Sequence, residues 1–208
     1  MIITVFGATG MVGRQVVREA LIMGHQVRAF GRNVFTANFP GNENLVVVPG
    51  ALFDEDQVFN AIKGADAVIS VVGGSVDGMD KTRSLGMKNI VQQMERAGVK
   101  RIIALGGMGV LDSADGLIME KPDYPKQFLA VGREHFAAFQ HLANSSLDFT
   151  FIGAPDIIDG SPTGVFRTAA DTMPEPNNNR ILSGDLALFM LQELKNQNFI
   201  RQRAGISN

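Results

Sequence analysis

The chain contains no cysteine, which excludes disulfides and thiolate metal sites outright and fits a reducing compartment. No apolar run reaches the roughly 18 residues that a membrane span needs. Acids and bases are interspersed and the net charge is −2, so no basic stripe offers a surface to nucleic acid or an anionic membrane. The opening residues MIITVFGATG have no basic n-region, apolar h-region or cleavage site. They read as the first strand of a fold, and the expected location is cytoplasmic. Proton donors are scarce too: one tyrosine, Tyr124, and three histidines.

What is present is a regular alternation. The 208 residues, 45% of them hydrophobic, are enough for one sizeable core, and a single domain spanning 1–208 is expected. Strand signals at 2–6, 26–30, 45–48, 67–72, 101–105 and 148–152 alternate with helix signals at 11–23, 54–63, 81–97, 127–144 and 184–195. Ser183 is placed to cap the last helix and Asp185 to sit in its first turn. Strands separated by helices of this length predict an α/β fold, a Rossmann-type doubly wound parallel sheet with helices on both faces. Two stretches, 106–125 and 153–180, break the rhythm. Both follow sheet strands, so they are expected at the ligand-binding edge as small substrate-side elements. Residues 198–208 read either as a last strand or as a subunit contact, and a monomer or small homo-oligomer is expected.

TVFGATGMVGRQVV sets Gly7, Gly10 and Gly13 between the first strand and the first helix. Gly7 suits a tight turn, Gly10 a close approach of backbone to a pyrophosphate, and Gly13 the packing of helix on strand. The spacing predicts dinucleotide binding. An NAD-preferring fold usually ends its second strand with an acid for the ribose 2′-hydroxyl. Here no acid lies between Ala20 and Glu43, and Arg32 stands in that place. A guanidinium there suits a 2′-phosphate, so NADP(H) is expected in preference to NAD(H).

FGATGMVG, VRAFGRN, GADAVISVVGG, RIIALGGMGV, SSLDFTFIGAPDIIDG and ILSGDLALFMLQEL together resemble the extended and atypical short-chain dehydrogenase/reductases. Within them the chain is most similar to the biliverdin-IXβ reductase, NAD(P)H-flavin reductase and NmrA-like group. The resemblance implies that Thr9, Gly10, Met11 and Val12 hold the pyrophosphate and that Arg32 meets the 2′-phosphate. It implies that Ala51 and Leu52 flank the adenine, with Val72 and Gly73 lining the ribose and nicotinamide side. Leu105, Gly106 and Gly107 would run beside the nicotinamide, and Pro155 with Ile157 would close over it.

The departures from that group are informative. Its usual Tyr-x-x-x-Lys pair is missing, because Phe128 stands four residues after Tyr124. Glycines end the fifth strand where relatives often carry a hydroxyl, and Asp156 occupies a place where a histidine can follow the proline. His135 and Tyr124 remain as candidate proton donors, and Met108 and Asp156 as candidate substrate contacts. His135 and His141, six apart on one helix, face different ways, and no metal site is expected. A ketone needs a positioned acid, whereas a flavin or quinone spreads the charge that hydride brings and can take its proton from water. The expected activity is therefore hydride transfer from NAD(P)H to a flavin, quinone or similar small-molecule acceptor, with flavin as substrate rather than bound cofactor. On this reading the small residues at 106–109 make room for a broad ring. The alternative is an NmrA-like NADP(H)-binding redox sensor with little or no turnover.

Overall fold

The computed structural model describes residues 1–39, 41–75 and 79–208. Isoleucine, threonine, valine and phenylalanine fill the first strand, β1 (Ile2–Phe6), and all but its first residue are buried. Such a strand fits the middle of a parallel sheet covered on both faces. The chain continues through α1 (Met11–Ile22), β2 (Gln26–Gly31), β3 (Leu45–Pro49), α2 (Glu55–Ile62), β4 (Ala67–Ser70), α3 (Thr82–Ala97) and β5 (Arg101–Gly107). A small hairpin, β6 (Asp112–Ser113) and β7 (Gly116–Leu117), leads to α4 (Leu129–Ala143) and β8 (Asp148–Ala154). Then come β9 (Asp156–Ile158), β10 (Arg167–Ala170), β11 (Arg180–Leu182), α5 (Ser183–Asn196) and β12 (Gln202–Ser207).

Eight strands form one sheet in the order β10-β12-β8-β5-β4-β1-β2-β3. Every pairing in it is parallel except that of edge strand β10 with β12. Residues alternate between faces, so Val5, Ile103 and Ile152 lie under α1 and α5 while Phe6, Ile102 and Phe151 lie under α2, α3 and α4. The doubly wound sheet expected from the sequence is the one observed. Its topological switch lies between β1 and β4, where an open α/β sheet leaves a crevice at its carboxyl edge.

Two local expectations change, at the start of α4 and at Ser183, and two others are filled in. Residues 202–207 form a strand, because Ala204 to Ser207 are buried and pair in parallel with β8 on one side and antiparallel with β10 on the other. A 3-10 turn over Lys126–Phe128 precedes α4, delaying its start to Leu129. Ser183 is the first residue of α5 rather than its cap; its hydroxyl accepts from the Gly160 N–H at 3.2 Å. Asp185 does sit in the first turn, but its carboxylate accepts from Thr163 and Gly164 N–H and from the Thr163 hydroxyl, at 2.7 to 2.8 Å. It thereby ties the long loop after β9 to the helix.

The glycines after Leu105 also differ from expectation. They belong to the strand itself, since the β5–β8 ladder continues through Gly106↔Gly153 and Gly107↔Ala154. A Cβ on Gly106 would overlap the ring of Phe151, and one on Gly153 would lie 2.5 Å from Leu111 Cγ. Bare backbone here admits large side chains from neighbouring elements, which is a packing requirement.

Candidate functional site

The first helix lacks what the second has. Asp54 caps α2, accepting the Gln57 N–H at 2.9 Å, with Glu55 and Asp56 in the first turn. By contrast α1 begins at Gly10 with no side-chain cap and no acid in its first turn. The N–H groups of Met11, Val12 and Gly13 therefore have no acceptor among the described residues. That leaves open donors and a positive dipole end aimed at whatever occupies the crevice.

Those residues line a cleft of about 490 Å³ together with Gly7, Thr9, Arg32, Leu52, Val72, Gly73, Leu105 and Ile157. Protein packing explains two of the glycines. Gly7 has φ +81° and a Cβ there would lie 2.6 Å from the Val71 carbonyl oxygen, while a Cβ on Gly13 would overlap the Gly7 carbonyl oxygen. It does not explain Gly10, whose nearest neighbour would be at 3.5 Å, or Gly73, which would meet nothing within 4 Å. Bare backbone at those two positions leaves space for a ligand. Arg14 is committed to the fold, donating to the carbonyls of Thr9 at 2.9 Å and Ala37 at 2.8 Å. Arg32 is exposed and makes no hydrogen bond or ion pair among the described residues. A dinucleotide fits this donor set: N–H groups for the pyrophosphate, a free guanidinium at the end of β2 for a further phosphate.

A second cavity, about 550 Å³, adjoins the first where β5 and β8 end. Its volume is within the ~300–1,000 Å³ usual for small-molecule sites. Gly107, Met108, Tyr124, His135, Pro155 and Asp156 line it, with Phe128, Val131 and Asn179. The structure thus brings both candidate donors and both candidate substrate contacts into one place. Three expectations need correction. Gly106 lines neither cavity, because it is buried against Phe151. Ala51 is not on the cleft wall, where Gly50 and Leu52 stand on either side of it. Pro155, in the break between β8 and β9, faces the second cavity rather than the first.

The glycine reading narrows accordingly. Of residues 106–109, a Cβ on Gly109 would lie 2.8 Å from the Tyr124 hydroxyl and one on Gly107 would lie 3.2 Å from His135 Cδ2. These two positions let Tyr124 and His135 close in, and the acceptor space lies beyond those side chains.

Electrostatics sets the state of both candidate donors. Burial, aided by the Arg83 guanidinium and opposed by Glu134, lowers the His135 pKa to about 4. Burial pushes the Tyr124 phenol above its ordinary value. Next to His135, Glu134 is already engaged, accepting from Lys81 Nζ at 2.8 Å and the Ser84 hydroxyl at 2.7 Å. Burial alone would raise its pKa, but those hydrogen bonds hold it below the usual value. Arg83 donates to the carbonyls of Gly74 and Ser75 at 2.8 Å each, holding those two residues next to Gly73 of the cleft.

Sequence reasoning did not find Thr82 on the cleft or Asn179 and Phe128 in the second cavity. Thr82 opens the helix after β4 and could have been suspected from the crevice rule. Asn179 carries no local signal; it reaches the site through the pairing of β11 with β9.

Residues 7–197 match the profile of the NAD(P)H-binding family. A Burkholderia pseudomallei protein provisionally described as exported is 32% identical, with each chain covered in full and a TM-score of 0.86. A Streptococcus pneumoniae protein provisionally described as an NADH-flavin reductase is 26% identical over 100% of this chain and 99% of that one, with a TM-score of 0.84. The Bacillus subtilis protein YwnB is 24% identical over 98% of this chain and 96% of its own. The chain spans 46% or less of the longer curated relatives that it also matches. Among the described residues no helix is long and apolar enough to cross a membrane.

Proposed function

Because the chain belongs to the NAD(P)H-binding family, we propose that it is an NADPH-dependent reductase whose acceptor is a flat conjugated ring, a flavin or a quinone. When bound, the dihydronicotinamide supplies a hydride. The observation that carries this reading is the state of the acceptor cavity's two candidate donors. With a pKa of about 4, His135 is a neutral imidazole near pH 7. The Tyr124 phenol is held protonated by burial, and no lysine lines the cavity to lower it.

Neither residue is an acid matched to a developing alkoxide, which reduction of a ketone would require. Both can still hold a hydrogen-bonded position. Phe128, Val131, Met108 and Pro155 give apolar walls against which a ring can stack, and stacking geometry is the main demand of hydride transfer into a conjugated system. Water supplies the proton. The likeness to a provisionally described flavin reductase over the whole chain supports the same reading.

The preference for NADPH rests on Arg32, the free guanidinium at the end of β2. Replacing it with alanine should weaken NADPH binding by about tenfold to a hundredfold, the value of a charge-assisted contact, and leave NADH binding unchanged. Fluorescence titration of both cofactors checks this. The activity itself is tested by following NADPH and NADH oxidation with riboflavin and a naphthoquinone. Expected are turnover favouring NADPH and a rate that is flat across pH ~6–7, where an ordinary histidine would titrate. A step in that range would mean that His135 titrates normally and acts as the donor. Tight NADPH binding with no turnover of any acceptor would replace the reductase by a redox sensor.

A further inference from the structure

The charge inventory of the acceptor cavity is lopsided. Asp156 is exposed, its side chain has no hydrogen-bond or ion-pair partner among the described residues, and it is the one acidic residue among those that line the cavity. His135 is neutral near pH 7, and no lysine or arginine lines the cavity. Arg180 lies opposite Asp156 in the β9–β11 ladder yet makes no ion pair with it. The amino end of α4 borders the cavity, and the 3-10 turn before it engages two N–H groups there: Phe128 donates to Pro125 and Leu129 to Lys126.

We propose, resting on the reductase reading, that Asp156 determines the charge class of the acceptor: the site takes uncharged conjugated rings and disfavours those carrying phosphate, sulfonate or carboxylate. A carboxylate on the wall can accept an N–H from the edge of a ring. The Asn179 amide, whose residue's carbonyl accepts the Asp156 N–H at 3.2 Å, stands beside it to serve a neighbouring ring carbonyl. An acceptor edge with N–H next to C=O meets both. An anionic substituent meets a like charge, with no lysine or arginine among the residues that line the cavity.

The test uses riboflavin and its 5′-phosphate, FMN, which share one ring and differ by a phosphate. Each is titrated by fluorescence into the protein saturated with NADP⁺, for the parent and for Asp156→Asn. Riboflavin is expected to bind more tightly than FMN by about threefold to tenfold, as like charges across a solvated cavity would give. High salt should shrink the ratio, and Asp156→Asn should remove most of it. A neutral naphthoquinone and its sulfonate provide a second matched pair. The inference is overturned if the anionic member binds as well as the neutral one, if the ratio survives Asp156→Asn, or if neither neutral compound binds. Failure of the reductase reading is read separately, as absence of NADPH oxidation while the binding ratio stands. Asp156→Asn is isosteric at an exposed position, so its melting midpoint should match the parent's.

Discussion

Gly13→Ala should abolish measurable NADPH binding and cost about 2–3 kcal/mol of stability, the range for forcing a methyl group into a packed site. The added Cβ would overlap the Gly7 carbonyl oxygen and lie 2.8 Å from Ala8 Cα, both of them backbone. Backbone cannot rotate aside. Gly7 is itself fixed in the left-handed region, and its far side is blocked by the Val71 carbonyl, so the turn has no room to retreat toward β4. The strain must therefore push α1 away from β1, and the N–H groups of Met11 and Val12 move with it. Losing two charge-assisted hydrogen bonds weakens binding by about a hundredfold or more. Gly10→Ala gives the contrast: its Cβ would have 3.5 Å of clearance, so the protein should melt normally and lose only cofactor affinity. Thermal melting and NADPH titration of the two variants separate the roles. Equal melting midpoints and equal affinities for Gly13→Ala and the parent would refute the argument.

Glu193→Ala should be the most destabilising single change to a polar side chain, at about 3–5 kcal/mol. Glu193 is 1% exposed and Arg101 7% exposed. The Arg101 guanidinium donates to the Glu193 carboxylate at 3.1 Å and to its backbone carbonyl at 3.0 Å. The same carboxylate accepts from the Thr150 hydroxyl and from the N–H groups of Asn198 and Phe199. Burial already lowers the Arg101 pKa, with Glu193 opposing that fall, and its Nε has no partner. Removing the carboxylate leaves a buried cation without its counter-charge and the Asn198 and Phe199 N–H groups unmatched, while the Thr150 hydroxyl keeps the Phe199 carbonyl at 3.0 Å. Glu193→Gln keeps one acceptor oxygen of the two and should cost less. Urea denaturation of both variants measures the difference, and a Glu193→Ala midpoint equal to that of Glu193→Gln would show that the lost charge, which both variants share, accounts for the whole effect. The network joins the start of β5, the middle of β8, the end of α5 and the turn into β12. It therefore holds the two strands whose far ends carry Gly107 and Ala154 into the acceptor cavity.

The residues of the first cleft could be grouped from the sequence because they are close in it. Gly7 to Gly13 form one strand–turn–helix unit, and Arg32 follows at the end of the next strand. The reading of residues 106–109 was only partly right for the opposite reason. Nothing local reveals that Phe151 fills the space over Gly106, or that Tyr124 lies over Gly109. Likewise the strand at 202–207 is short and half small residues, and it forms because β8 and β10 flank it.

By itself the sequence determined the alternation of strands and helices, the doubly wound sheet and the glycine turn that leads into the uncapped helix end. Those follow from periodicity and from turns a few residues long, where local sterics and hydrogen bonding decide. Only the tertiary structure decided the acceptor side. Gly107, Tyr124, His135, Asp156 and Asn179 come from five separate segments that meet when β5, α4, β9 and β11 pack. Their chemistry was decided there as well, because a side chain's protonation depends on how far water is excluded and which charges stand near it. Burial makes His135 a neutral imidazole and keeps Tyr124 a phenol, and Asp156 is the one acidic residue among those that line the cavity.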